Sequence, residues 1–492
     1  MKNLLRILIL FIAGIFVTTS CDDYVDAGPL YSEDAESFFV TPNDYDRALI
    51  GAYDLLQTSY LSLWLGEIAS DNAIAGGESV TDSQGLHEID AMTHNGQNRE
   101  LQQLWRFMYS GITRVNYIFE NRNKIEFEGK DKIMAQASFL RAYYYFELVK
   151  VFGAVPLIID KRLGAEEIKS TVRNPATEVY AQIEEDLLYA ASILDWTATQ
   201  KGRITKGAAL SLLGKAYLYQ NKFDEAAEAF EEVIDKGIYD LYDDFSSLFR
   251  VANENNMESV FEIQYVNIEG GGYDCFVCLE GFAAVGFHGI RGYQGPIYLD
   301  GNSYNLPTDG LYKAFSPDDP RRDASILNIA AFAAAQADPS QVKWVEGNGG
   351  HTGYYNNKYI KRAAEPGPGD DDLTSPVNHR VIRFSDVLLM AAEAHNRKAS
   401  PNDELAREYL NRVRDRVDLD PVSASGADLR EAIWSERRFE FAGEGHRFFD
   451  LVRTGKAAEA IQGFTVGKNE LFPISQDEID LAGAGWSQND NY

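Results

Sequence analysis

Residues Ala135 to Pro156, AQASFLRAYYYFELVKVFGAVP, decide the fold. Ala135, Phe139, Ala142, Phe146 and Val149 recur at alternating spacings of four and three, the stripe that an α-helix turns toward a packed neighbour. Gly153 supplies a stop that tolerates positive φ, and Pro156 cannot continue a helix, so the chain leaves extended through Val155 to Ile159. Tyr143, Tyr144, Tyr145 and Phe146 could line a site, but beside such a stripe consecutive aromatics read as core.

The same periodicity recurs outward from this helix. Thr205 to Gly237, TKGAALSLLGKAYLYQNKFDEAAEAFEEVIDKG, carries Leu210, Leu213, Gly214, Tyr217, Ala226, Phe230 and Val233 at or near the offsets of the tetratricopeptide helix pair, in which small residues let two helices approach and aromatics fill the gap. Arg383 to Leu419 offers a second pair, with Leu388, Ala391, Ala392 and His395 followed by Ala406, Leu410 and Val413. Further helices are expected from Asp44 to Tyr60, with Thr41 and Pro42 at its start, and from Arg99 to Asn121, at about 131–152 and 176–194, from Ala427 to Ala442 and from Arg447 to Gln462. Single repeats cannot bury their own faces, so these helices are expected to stack into one α-superhelix. The fold class is therefore mainly α, a tetratricopeptide-like scaffold.

Two stretches break the pattern. Gly66 to Asn98 is polar and rich in Gly, Asp and Asn, and reads as a long loop of the kind that carries function. From about Val266, just beyond the strand-like Val260 to Tyr265, through Pro376, glycine, proline and aromatics replace helical spacing. This is a loop-rich excursion with short strands and helices. The expected organisation is a leader over 1–20, a tether over 21–40 and one domain over 41–492. Within that domain a helical part lies at about 41–260, the excursion at about 266–376 and a second helical part at about 377–492.

Lys2 and Arg6 precede an apolar run, Ile7 to Val17, that is short for a bilayer span, and Thr18-Thr19-Ser20 places small residues directly before Cys21. This is the order of a bacterial lipoprotein leader, with Cys21 the lipid attachment site. The chain of 492 residues has a formal charge of −29, which disfavours DNA, RNA and other polyanions as partners. It also holds 27 Tyr, 27 Phe and 6 Trp, a large supply of flat apolar surfaces for core and site alike. Cys275 and Cys278 sit in glycine-rich loop sequence and read as a loop disulfide or two idle thiols. Asp370 to Asp372 reads as a solvated loop rather than a calcium site. No metal or other cofactor is called for.

Signatures of catalysis are missing: there is no His-Glu-x-x-His, no P-loop and no Gly-x-Ser-x-Gly. The run from Glu436 to Glu440 and that from Glu444 to Arg453 are dense in charge, and beside Trp434, Phe439, Phe441, Phe448 and Phe449 they read as ion pairs locking two helices together. The expectation is a protein that is not an enzyme.

LRAYYYFELVKVFGAVPL, RFSDVLLMAAEA, WSERRFEFAGEGHRFFDLVRTGKA, NELFPISQDEIDL and the closing WSQNDNY occur in the order found in the SusD/RagB family, and the match runs nearly end to end. The chain resembles these surface lipoproteins of Bacteroidetes, and Asp22-Asp23-Tyr24-Val25-Asp26 resembles their surface-export signal. The resemblance implies a lipid-anchored outer-membrane protein facing the exterior, seated on a SusC-type TonB-dependent transporter, to which it delivers an oligosaccharide. A peptide ligand, a tetratricopeptide adaptor and a secreted glycoside hydrolase are the alternatives. The ligand is expected between the Gly66–Asn98 loop and the excursion. A sugar needs aromatic planes for its C–H face and amides or carboxylates for its hydroxyls. Asp71, Asn72, Tyr273, Phe287, Tyr293, Tyr298 and Trp344 are the candidates, against the alternative that each aromatic packs its own loop.

Overall fold

The computed structural model describes residues 38–268, 280–365 and 373–492. The quoted stretch is a single helix, Lys130–Phe152, and Gly153 ends it at φ +70°. Its aromatics are core: Tyr144 and Tyr145 are fully buried, and Phe146 and Tyr143 nearly so. The Tyr144 hydroxyl donates to the Ala52 carbonyl at 2.6 Å. Its ring fits because position 111 is glycine, where a Cβ would lie 2.4 Å from it.

Twelve of the helices frame the scaffold and the site: α1 (Pro42–Asp54), α2 (Tyr60–Ile68), α3 (Gln84–Asp90), α4 (Arg99–Glu120), α5 (Lys130–Phe152), α6 (Ala176–Ile193), α7 (Lys206–Tyr219), α8 (Phe223–Asp235), α9 (Phe384–Arg397), α10 (Asp403–Asp415), α11 (Gly426–Glu440) and α12 (Arg447–Arg453). Helix α1 packs on α4, α4 on α5, α5 on α6, α6 on α7, α7 on α8, α8 on α9, and α9 on both α10 and α11. The array therefore continues from α8 to α9 across 148 intervening residues, as repeat stacking requires. Polar fastenings reinforce the apolar seams: Arg141 forks onto Asp186 at 2.7 and 2.8 Å, tying α5 to α6. Thr41 caps α1 in a capping box with Asp44.

The strands are short and paired two by two: β1 (Ala73–Gly76) with β3 (Tyr304–Pro307), β2 (Ser259–Ile263) with β6 (His379–Arg383), and β4 (Ile326–Asn328) with β5 (Tyr354–Asn356), all antiparallel. The β2–β6 pair launches and receives the excursion, with Ile263 opposite His379. The β1–β3 pair sews the excursion to the 66–98 segment, with Gly76 opposite Tyr304.

Three expectations need correction. The first helix is not continuous to Tyr60: a 3-10 turn over Leu55–Ser59 separates α1 from α2. The 66–98 segment is not a bare loop, since it contains β1 and α3. The helix expected over 447–462 stops at Arg453, because Gly455 takes φ +72° and turns the chain into a separate short helix, Ala457–Ala460. Cys21, Cys275, Cys278 and Asp370 to Asp372 lie outside the described residues.

Candidate functional site

A cleft of about 780 Å³ opens between the 78–103 segment and the excursion. Its floor is apolar. Tyr60 and Trp64 project from α2, Phe287 from a short helix and Tyr304 from β3. The Trp64 ring lies 4.9 Å from Phe287 and 5.9 Å from Tyr304, and Tyr60 meets Trp64 edge to face at 5.2 Å. Beneath them His288 fixes the indole: its Nε2 accepts the Trp64 Nε1–H at 3.0 Å while Nδ1 faces the Tyr359 carbonyl at 3.2 Å. Burial pushes the His288 pKa down to about 3, so the ring is neutral, as an acceptor must be.

The rim is polar. Gln84, Asn95, Gln97, Gln103 and Asn302 contribute amides, Glu78, Asp82, Glu88 and Glu100 carboxylates, and Arg99 and Arg291 guanidiniums. Local structure fixes several of them. Asn98 caps α4 by accepting from Leu101 N at 3.2 Å, and its amide donates to Gly85 O and to Glu88 Oε2. Ser83 adopts φ +53° and donates to the Tyr304 hydroxyl at 3.3 Å. Arg291 reaches Glu78 at 3.4 Å and Asp82 at 3.9 Å, and donates to the Asn302 carbonyl at 3.2 Å, so it spans the two walls. Four carboxylates against two guanidiniums make the rim acidic. Burial raises the pKa of Glu100, and Glu88 adds to the rise, which Arg99 opposes.

The expected residues separate. Phe287 lies in the cleft floor. Tyr293 and Tyr298 are buried in a small second core with Ile290, Leu306, Leu327 and Tyr355, against which half-buried Trp344 packs. Tyr293 donates to Pro296 O at 2.6 Å and Tyr298 to Asn357 Oδ1 at 3.2 Å, so these two pack their own loop. Asp71 faces another way, paired with Arg447 at 2.7 Å and Arg438 at 2.8 Å in a polar recess beside α11 and α12. Asn72 is 1% exposed, its Oδ1 accepting from Arg438 Nε at 3.0 Å. Neither lines the cleft. Tyr273 lies outside the described residues. Sequence reasoning named the two segments but missed Trp64, Gln97, Gln103, Arg291, Asn302 and Tyr304. The signal for Trp64 was its place just before the polar segment, and for Tyr304 its place within the aromatic-rich excursion.

The dense charge runs are structural. Arg437 pairs with Asp386 at 2.6 Å and Asp450 at 3.0 Å, and Arg453 with Glu393 at 2.8 Å. Burial would raise the Asp450 carboxyl, but Arg437 and Arg453 hold it well below the usual range. These pairs lock α11 and α12 onto α9, the structural role expected of the two charge runs.

A helical array carrying an apolar-floored, polar-rimmed cleft on a side excursion is the architecture of a binding protein. The chain belongs to the SusD family: the pattern described by that name matches residues 239–492, and a second, described as "Starch-binding associating with outer membrane", matches 24–218. Among curated relatives, SusD-like protein P2 of Formosa agariphila is 29% identical over 503 residues, covering 96% of each chain. Among solved structures, a laminarin-binding SusD-like protein is 34% identical with a TM-score of 0.83, covering 92% of this chain and all of that one. Surface glycan-binding protein A from Bacteroides thetaiotaomicron, solved with laminarihexaose, is 27% identical with a TM-score of 0.82 and the same coverage. These solved relatives are described as binding proteins. The mainly α fold expected from periodicity is the fold of this family.

Proposed function

We propose that this protein captures an oligosaccharide at the cell surface and delivers it to a SusC-type TonB-dependent transporter, with Cys21 carrying the lipid that holds it to the outer membrane. The cleft carries the reading. Its aromatic floor suits the C–H face of a sugar ring, and its amides and carboxylates are matched to hydroxyl groups, which donate and accept alike. The glycan is an uncharged one, because an acidic rim on a chain of charge −29 repels sulfate and uronate groups. The laminarin and laminarihexaose of two solved relatives are ligands of this kind. No bond is broken: the carboxylates on the rim serve as hydrogen-bond acceptors.

Calorimetry of the soluble domain against uncharged glucans, sulfated and uronate glycans and peptides tests the ligand. Heat with an uncharged glucan and none with the charged glycans is expected. Binding confined to peptides would replace the reading, and release of shortened products would revive the hydrolase. Mild-detergent affinity purification tests the partner, with a large β-barrel protein expected alongside. Recovery of the lipoprotein alone after crosslinking would contradict it.

A further inference from the structure

We propose that Tyr492, the last residue of the sequence, is a positioning residue for the cleft, acting through His94 on the turn that presents Asn95 and Gln97; this rests on the cleft being the glycan site. Asn95 and Gln97 line one wall, in the turn between α3 and α4. Within the turn, Gln97 N donates to Asn95 Oδ1 at 2.8 Å and Asn98 N to Asn95 O at 3.0 Å; His94 N ties the turn to Glu88 O of α3 at 3.1 Å, and a further hold comes from behind. His94, 2% exposed, points away from the cleft into the 469–492 segment. There its Nε2 lies 2.9 Å from the Tyr492 hydroxyl, and its ring lies 4.8 Å from that of Phe472.

The Tyr492 hydroxyl serves three partners. It donates to Leu471 O at 3.1 Å, accepts from Asn469 Nδ2 at 3.1 Å and meets His94 Nε2. Leu471 O can only accept and Asn469 Nδ2 can only donate, so the three bonds are satisfied together when His94 is the Nε2–H tautomer donating to the tyrosine. Burial lowers the His94 pKa to about 4, which keeps the ring neutral for that role. Lys468 lies 4.6 Å over the Tyr492 ring and holds its other side. A second tie, Gln476 N to Gly96 O at 2.7 Å, comes from the same segment. The wall residues thus owe part of their position to a chain segment nearly 400 residues away that does not touch the cleft.

Tyr492→Phe keeps the ring and removes the hydroxyl. The expected result is a laminarihexaose affinity lowered about three- to tenfold, with the loss in the association rate, because only the fraction of molecules with the turn in place can bind. Amide exchange over residues 93–98 should quicken with no ligand present, while the thermal midpoint stays within about 2 °C of the parent. His94→Ala should reproduce the loss of affinity and the quickened exchange over 93–98, with a lower midpoint because it also removes a buried ring. Parent-like affinity and parent-like exchange over 93–98 in Tyr492→Phe would overturn the proposal, as would a broad rise in exchange with a lowered midpoint, which marks a merely structural role. Gln97→Ala separates the two levels. If it too leaves affinity unchanged, the cleft reading itself fails; if it weakens binding while Tyr492→Phe does not, only the positioning role is lost.

Discussion

Replacing Arg383 by methionine tests the account of the buried charges. Arg383, on β6, is 2% exposed, and its guanidinium donates to Glu440 at 2.8 Å, to Glu444 at 2.8 and 2.9 Å and to Glu258. Arg416 reaches Glu258 and Glu440, Arg321 reaches Glu436 and Glu440, Arg414 reaches Glu436, and Lys358 reaches Glu444, so with Arg383 the carboxylates are shared among five cations. Removing one partner from such a set leaves carboxylates buried with too little compensation, which costs about 3–5 kcal/mol. At about 2 °C or less per kcal/mol for a chain this large, the thermal midpoint should fall by about 5–10 °C at pH 7. Burial opposes ionisation of Glu440, but Arg416, Arg383 and Arg321 hold its pKa well below the usual range. A depressed carboxylate stabilises above its unfolded value and loses that contribution as pH falls through the folded one, so the parent loses its advantage on acidification. The gap between parent and variant should therefore hold from pH 7 to about pH 5 and narrow as the pH falls below that. Arg106→Met is the control, since Arg106 is largely exposed in its pairs with Asp477 and Glu478, which contribute about 0–1 kcal/mol. Calorimetric melts that place both variants within 1 °C of the parent at pH 7 would refute the reasoning.

Burial pushes the Glu67 pKa up to about 7, against the Gly445 N–H that its carboxylate accepts at 2.8 Å. A raised carboxyl stabilises below its unfolded value and loses this as pH rises through the folded one, so Glu67→Gln should gain on the parent in thermal midpoint between pH 5 and pH 8, and a difference independent of pH would refute this. Gly214→Ala puts a Cβ 2.5 Å from Phe230 and should destabilise by about 1–3 kcal/mol, whereas Gly51→Ala in α1 meets nothing within 4 Å and should stabilise by about 0.5–1 kcal/mol, both read from urea midpoints. Cys21→Ala should abolish labelling with a fatty-acid analogue; a variant that still labels and fractionates with the outer membrane would remove the lipid anchor from the account.

The scaffold was legible because helices announce themselves locally. The four–three stripe through Phe139 and Phe146, and the Gly214–Phe230 approach in the α7–α8 pair, depend on spacing within one element or between neighbours. The site was legible only as a pair of segments. Whether Tyr293 faces a ligand or its own loop depends on Ile290, Leu327 and Tyr355 closing over it, a packing fact with no local signature. Asp71 looked available until Arg438 and Arg447, more than 360 residues on, arrived to pair with it. Gln97 and Asn302 are ordinary polar loop residues in sequence; the β1–β3 pairing makes them walls of one cleft.

The most direct measurement is the affinity of laminarihexaose, by calorimetry, for the parent, for a variant with Gln97, Gln103 and Asn302 all replaced by alanine, and for a control with Leu481→Ala in the separate groove beside Trp105 and Trp486. Three lost hydrogen bonds at about 0.5–1.5 kcal/mol each amount to a tenfold loss or more. The account predicts that loss in the cleft variant, with an unchanged melt and parent-like binding by the control. Parent-like binding by the cleft variant would contradict it.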